Sequence, residues 1–279
     1  WVTTDGLSGN GKLTADGGAG QSSGGGGGGG RIAVYYRTGS GFGGYAISSA
    51  AGGSGSVLGA SGSVGFFDTS GTHPHLHLYN GAQNHFVFPA DSTLDYDAIT
   101  VDGGLLDIGG GSTVNVGTFT AVHTSTVLLM GKNVTDMVGG QWAGVGVTVN
   151  ASNVTVDSSS RISADGQGYV GVTGGTGMGP GGSSANTGAG SGGSYGGLGG
   201  NAGAAVGPTY GSVTQPTDLG SAGGANSDAS PAGPGGAGGG AIRLIVSGTL
   251  TLDGVISANG GAGVNGEQGG GSGGSILVN

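Results

Sequence analysis

Apolar and polar residues alternate over short stretches of this chain. In "RIAVYY" (31–36), Ile32, Val34 and Tyr36 share one face of an extended strand, with Arg31 opposite. In "AIRLIV" (241–246), Ile242, Leu244 and Val246 do the same, with Arg243 opposite. "SILV" (275–278) predicts a third strand. The stretches 98–130 and 145–164 hold more short apolar runs rich in Val, Ile, Leu and Thr, separated by brief turns. No segment shows helical spacing, so the pattern predicts an all-β chain without significant helix.

A repeat organises these strands. "TDGLSGNGKLTADGGAG" (4–20) aligns without a gap on "SGTLTLDGVISANGGAG" (247–263), matching Leu7 with Leu250, Gly11 with Gly254, Leu13 with Ile256, Ala15 with Ala258 and Asp16 with Asn259. A looser copy, "VTVDSSSRISADGQG" (154–168), keeps Ile162, Ala164, Asp165 and Gly166. Each core is followed by a glycine-rich excursion and then by a strand. Such a unit cannot bury its apolar face alone, whereas stacked units can, which predicts coils of a parallel β-solenoid with open ends.

The excursions hold much of the glycine, 76 residues of 279. Glycine blocks read by default as mobile linkers. Here they recur within the repeat and carry few charges. Extended glycine segments can also pack side by side as polyproline-II-like threads that exchange backbone hydrogen bonds. Gly24, Gly25, Gly26, Gly27, Gly28, Gly29 and Gly30 are the candidates for such packing; mobile loops are the alternative.

Composition removes several functions. The net charge is −9 with six scattered cations, so no basic cluster exists to neutralise phosphates and nucleic-acid binding is not expected. Apolar runs are too short for a membrane span. With no cysteine, disulfides and thiolate chemistry are excluded. The chain starts at Trp1, which suits a processed form or a window from a longer repeat protein.

"GGGGGGGRIAVYY" (24–36), "YGSVTQPTDLGSAGG" (210–224) and "GGGAIRLIVSGTLTLDGVISANGGAG" (238–263) together resemble the glycine-rich β-helical repeats of very large bacterial secreted and surface proteins. The resemblance covers about two-thirds of the chain and is weaker from about Gly65 to Met130. It implies an extracellular or cell-surface setting and a structural or adhesive role. Along the chain it suggests one continuous unit. Residues 1–64 are coils with a polyglycine excursion, 65–130 a central β region with a candidate hairpin at 74–89, and 131–165 further coils. Residues 166–240 are a long glycine-rich excursion and 241–279 the terminal coils.

Candidate chemistry is sparse. His73, His75 and His77 alternate with Leu76 and Leu78, and "NGAQN" would turn the chain to bring His85 opposite, making His75, His77 and His85 the candidate metal ligands against a solvated polar face. Asp91, Asp95, Asp97 and Asp102 cluster, and Asp95 and Asp97 share a face, but no neighbouring cation in the sequence points to acid polysaccharide chemistry. Asn133, Asn150 and Asn153 head N-x-[ST] triplets. We therefore expect no catalytic residues, no cofactor and no enzyme. The expected function is an extracellular structural protein whose copies assemble head to tail into a filament through Trp1, Val2, Ile276, Leu277, Val278 and Asn279. An adhesin shaft or tip binding surface glycans is the first alternative, and a polysaccharide-active β-helix enzyme the second.

Overall fold

The computed structural model describes residues 1–39, 41–79 and 84–279. All regular structure among them is β-strand. Nine strands make one sheet: β1 (Val2–Gly6), β2 (Arg31–Thr38), β3 (Ser63–Asp68), β4 (His75–Tyr79), β6 (Thr93–Asp102), β8 (Thr113–Val122), β10 (Val147–Val156), β12 (Ala241–Leu252) and β14 (Ser275–Val278), in that order across it. Five short strands make a second sheet, in the order β13 (Val255–Ser257), β11 (Arg161–Ser163), β9 (Thr126–Leu129), β7 (Leu105–Ile108) and β5 (His85–Phe88). From β5 onward the chain alternates between the sheets, and each return lands parallel to the strand laid down one circuit earlier.

The alternating pattern explains the register. Leu106 pairs with Val127, Val127 with Ile162 and Ile162 with Ile256, so one apolar column crosses the small sheet. Across the large sheet Leu94, Val114, Val149 and Leu244 form one column, and Ile99, Phe119, Val154 and Leu250 another. These columns share one apolar cluster. Each long strand changes phase midway. In β8 the buried residues are Val114 and Val116, then Phe119 and Ala121; in β10 they run through Ala151 and resume at Val154. The extra residue turns the strand while keeping apolar side chains inward. Truncating the fully buried Phe119 to Ala would cost about 3–5 kcal/mol.

One pairing departs from the parallel scheme. β3 and β4 are antiparallel, with Phe67 opposite Leu76. Residues 69–74 are too few for the crossover that a parallel neighbour requires. The hairpin expected at 74–89 does not form: β4 pairs with β3 and β6, whereas β5 pairs with β7 in the other sheet. Residues 80–83, which hold most of "NGAQN", lie outside the described residues.

The glycine excursions pair with one another. Gly26 and Gly29 donate to the carbonyls of Val57 and Ala60, while Gly27 and Gly30 donate to Gly18 and Ala15. In the second excursion Gly220 and Gly223 donate to Gly239 and Gly236, which themselves donate to Ser272 and Gly269 of the third; Gly269 and Ser272 in turn donate to Gly224 and Ser221. Partners recur every third residue, the period of polyproline II.

Candidate assembly surface

Within the repeat, one alanine and one glycine do the same work each time. The carbonyl of Ala15 accepts from Gly30 N–H at 2.7 Å, Ala164 from Gly240 at 2.7 Å and Ala258 from Gly274 at 2.8 Å. The glycine is in every case the last residue before the next strand. The side chain there must stay small, because a Cβ built on Gly30 would already lie 3.1 Å from the Ala15 Cβ. Ala50 accepts from Gly62 in the same way at 2.8 Å, so "ISSAAGG" (47–53) is a fourth copy of the core.

The carboxylate next to that alanine ties one copy to its neighbour. Asp16 Oδ1 accepts from Ser49 Oγ at 2.6 Å and from Ala51 N–H at 2.8 Å. Asp165 accepts from Ser257 Oγ at 2.9 Å and from Asn259 N–H at 2.6 Å. These bonds hold both carboxyls below the usual carboxylate range. At Asp16 Ser49 contributes most; at Asp165 partial burial opposes the effect of Asn259 and Ser257 without cancelling it.

The sheet ends are where this pattern lacks a neighbour. Among the described residues β1 pairs only with β2, from Val34 to Thr38, and Arg31–Ala33 have no strand partner on that side. β14 pairs only with Ala241–Leu244 of β12; Asn279 extends the pairing, donating to Leu244 and accepting from Val246. Beyond it Ser247–Leu252 have no strand partner on that side among the described residues. Leu252 is 44% exposed, whereas Val156, its partner one circuit inward, is fully buried. Of the residues expected at an interface, Trp1 is 95% exposed, and Val2, Ile276, Val278 and Asn279 are exposed too; Leu277 is half-buried. Trp1 and Thr3 line a recess of about 460 Å³ with Ala33, Tyr35 and Thr69.

Within Gly24–Gly30 the residues are not equivalent. A Cβ on Gly26 or Gly29 would lie 1.9 Å from the carbonyl oxygen of Gly53 or Ala50. On Gly27 it would lie 3.3 Å from Gly18 N, and on Gly25 and Gly28 the nearest atoms are 3.7 and 3.9 Å away. Gly24 stands in a turn, donating to Gln21.

The histidines do not converge on one point. His75 and His77 alternate with the buried Leu76 and Leu78 as expected, but His85 stands in the other sheet, 2.7 Å from Asp107 Oδ2. The three residues therefore do not share a ligand set, because β5 pairs away from β4. His75 Nε2 meets Thr100 Oγ1, and the His77 ring stacks on Tyr79 at 3.6 Å. Burial, reinforced by His75, pushes His77 down to about 4 despite Asp102 at 3.7 Å. The other Asp102 oxygen bonds the exposed His123, whose pKa it raises. No group of three or more His, Asp or Glu side chains is arranged to hold a metal among the described residues.

The aspartates are likewise engaged locally. Asn115 donates to Asp95, and the His73 N–H donates to Asp97. Asp91 pairs with Lys132 at 2.6 Å, a cation from a distant stretch that local spacing could not reveal. Asn133 and Asn150 use their amide nitrogens on Ala143 O and Asn115 Oδ1, and Asn153 Oδ1 accepts from Thr249 N–H. No helix is long and apolar enough to cross a membrane among the described residues. No protein-family model, no curated protein and no solved structure matches the chain.

Proposed function

We propose that this chain is an extracellular structural protein, a coil-stacking β-solenoid with ordered polyglycine threads, whose copies add head to tail into a filament. One observation carries the reading. The first and last units of the chain are copies of a single sequence, and they sit toward opposite open edges of one sheet whose strands are parallel except at β3–β4. A surface that repeats the unit stacked beside it is complementary to another copy of itself, and repetition of one such heterologous contact makes a fibre. The exposed Leu252 and Ile276, at positions whose inner counterparts Val156 and Ile242 are buried, support the same reading. The extracellular setting rests on the resemblance to glycine-rich repeats of secreted proteins.

Negative-stain microscopy of the purified chain tests it. Unbranched filaments are expected, and a bulky folded domain fused to either end should stop their growth. Dispersed particles at every concentration, or normal filaments from the fusions, would overturn the proposal.

A further inference from the structure

We propose that the joint between two copies is a register-locked continuation of the repeat, closed by the Asn259 side chain of one copy on Thr14 and Asp16 of the next. This rests on the head-to-tail reading above and specifies its contact.

Inside the chain, the aspartate of one unit meets a fixed pair in the unit stacked on it. Asp165 takes the hydroxyl of Ser257 and the N–H two residues later, at Asn259; Asp16 takes Ser49 and Ala51, again two residues apart. The strands behind these clamps run parallel and in register: Ser163 pairs with Ser257, and Thr14 bridges to Ser49. Asn259 is the residue at the aspartate position of the last unit. It is exposed, and no further unit of this chain lies over it among the described residues.

The gapless alignment says what fits there. Placing a second copy's core 13–16 on 256–259 sets Leu13 on Ile256, Thr14 on Ser257 and Asp16 on Asn259. Thr14 Oγ1 and the Asp16 N–H then stand where Ser257 Oγ and the Asn259 N–H stand over Asp165. The amide oxygen of Asn259 can accept from both. A carboxylate at position 259 would have faced the carboxylate of Asp16, so a neutral amide also removes a like-charge contact from the joint. Asn279 stands beside Ile245, so the incoming chain follows it end to end, with Trp1 beside Val246 and β1 beside Ser247–Thr251, the part of β12 that β14 leaves uncovered. Because Val2 is paired with Val34, the same succession brings Val278 and Asn279 beside Arg31 and Ile32, which β1 leaves uncovered.

The chain has no cysteine, so a paired-cysteine test is clean. Parallel neighbours about 4.8 Å apart fall within disulfide range, whereas a two-residue offset does not. Filaments of the double variant Thr14→Cys/Ser257→Cys, oxidised and run on a denaturing non-reducing gel, should give a ladder of covalent multimers. The offset pair Thr14→Cys/Val255→Cys should stay monomeric. Because Ser257 is buried, a second variant guards against misfolding: Thr14→Val, at an exposed residue, should leave monomer unfolding unchanged and raise the critical concentration for growth about fivefold, as expected for one lost hydrogen bond. Filaments that form without the ladder, or that link through the offset pair, would overturn this joint while leaving head-to-tail assembly standing. Failure of the unmodified chain to form filaments would overturn both.

Discussion

Replacing Gly26 by alanine is the most informative single perturbation of the glycine threads. The added methyl would stand 1.9 Å from Gly53 O and 2.4 Å from Gly53 C, roughly 1.5 Å inside ordinary contact. Backbone, unlike the end of a flexible side chain, cannot swing aside. The 50–53 thread must retreat, which breaks the bond from Gly53 N–H to Gly27 O and the bond from Gly59 N–H to Gly53 O. Two hydrogen bonds lost from a packed bundle cost about 2–4 kcal/mol. For a chain of this size that lowers the thermal midpoint by about 5–10 °C.

Gly28 is the internal control, two residues away on the same thread. Its Cβ would meet nothing closer than Ala60 O at 3.9 Å, and its φ is not positive. Gly28→Ala therefore removes unfolded-state freedom without a clash and should be neutral or stabilise by about 0.4–1 kcal/mol. Gly27→Val falls between, since the first added carbon sits 3.3 Å from Gly18 N. Thermal unfolding followed by circular dichroism ranks the three variants. Amide exchange adds a second readout: Gly26, Gly27, Gly29 and Gly30 should be protected, and Gly25 and Gly28, which donate to no backbone carbonyl among the described residues, should exchange fast. Equal midpoints for Gly26→Ala and Gly28→Ala, with uniform fast exchange, would refute the ordered threads and restore mobile loops.

Other outcomes follow from the side chains. Asp165→Ala removes the acceptor for Ser257 and Asn259 and should lower stability by about 1–3 kcal/mol in denaturant titration; an unchanged midpoint would show that the clamp does not hold adjacent units. His77 stays neutral in the fold down to about 4, while the unfolded chain protonates it near 6.5, so the unfolded state binds more protons in between and stability should fall as pH drops through that window. His77→Gln should flatten that decline, and an unaltered pH profile would assign it elsewhere. His123 acts oppositely: its raised value adds stability that is lost as pH rises, with a small effect because the ring is exposed. Asp95→Asn with Asp97→Asn should leave filament formation intact and shift stability by about 0.5 kcal/mol or less per site; polysaccharide cleavage by the parent chain that the pair abolishes would contradict the structural role.

Much of the strand layout was legible because burial enforces period two. Ile242 and Leu244 were placed inward from sequence and are buried, and Ile162 and Ile256 do pair. Three things escaped. The core at 47–53 was hidden because it carries Ser48 where other copies have an aliphatic residue and Ala51 where they have Asp or Asn; what it keeps is Ala50, whose carbonyl receives Gly62. The antiparallel β3–β4 pair was hidden because strand direction depends on the length of a connection, not on the alternation within either strand. His85 departs from its expected place because a turn at "NGAQN" predicts paired flanking strands, whereas β5 pairs with β7 on the second sheet.

The glycines mark the deeper limit. Their number and spacing announce threads, yet nothing in a run of seven identical residues says that Gly26 and Gly29 bear on a neighbouring carbonyl while Gly25 and Gly28 do not. That phase is imported from the units at either end. The bond from Gly30 to Ala15 pins one end of the thread, and the strand pairing of Arg31 with Ser63 pins the residue after it. Counting back by three from Gly30 then gives Gly27, and from Gly29 gives Gly26. An insertion of one glycine within 24–29 would therefore shift every inward-facing position by one while leaving composition almost unchanged. It should destabilise the bundle as Gly26→Ala does, whereas an insertion of three glycines restores the phase and should be better tolerated. Circular dichroism melts of the two insertions decide it: if they lose the same stability, the threads are not phased by their ends, and the three-residue order seen in the hydrogen bonds does not control packing.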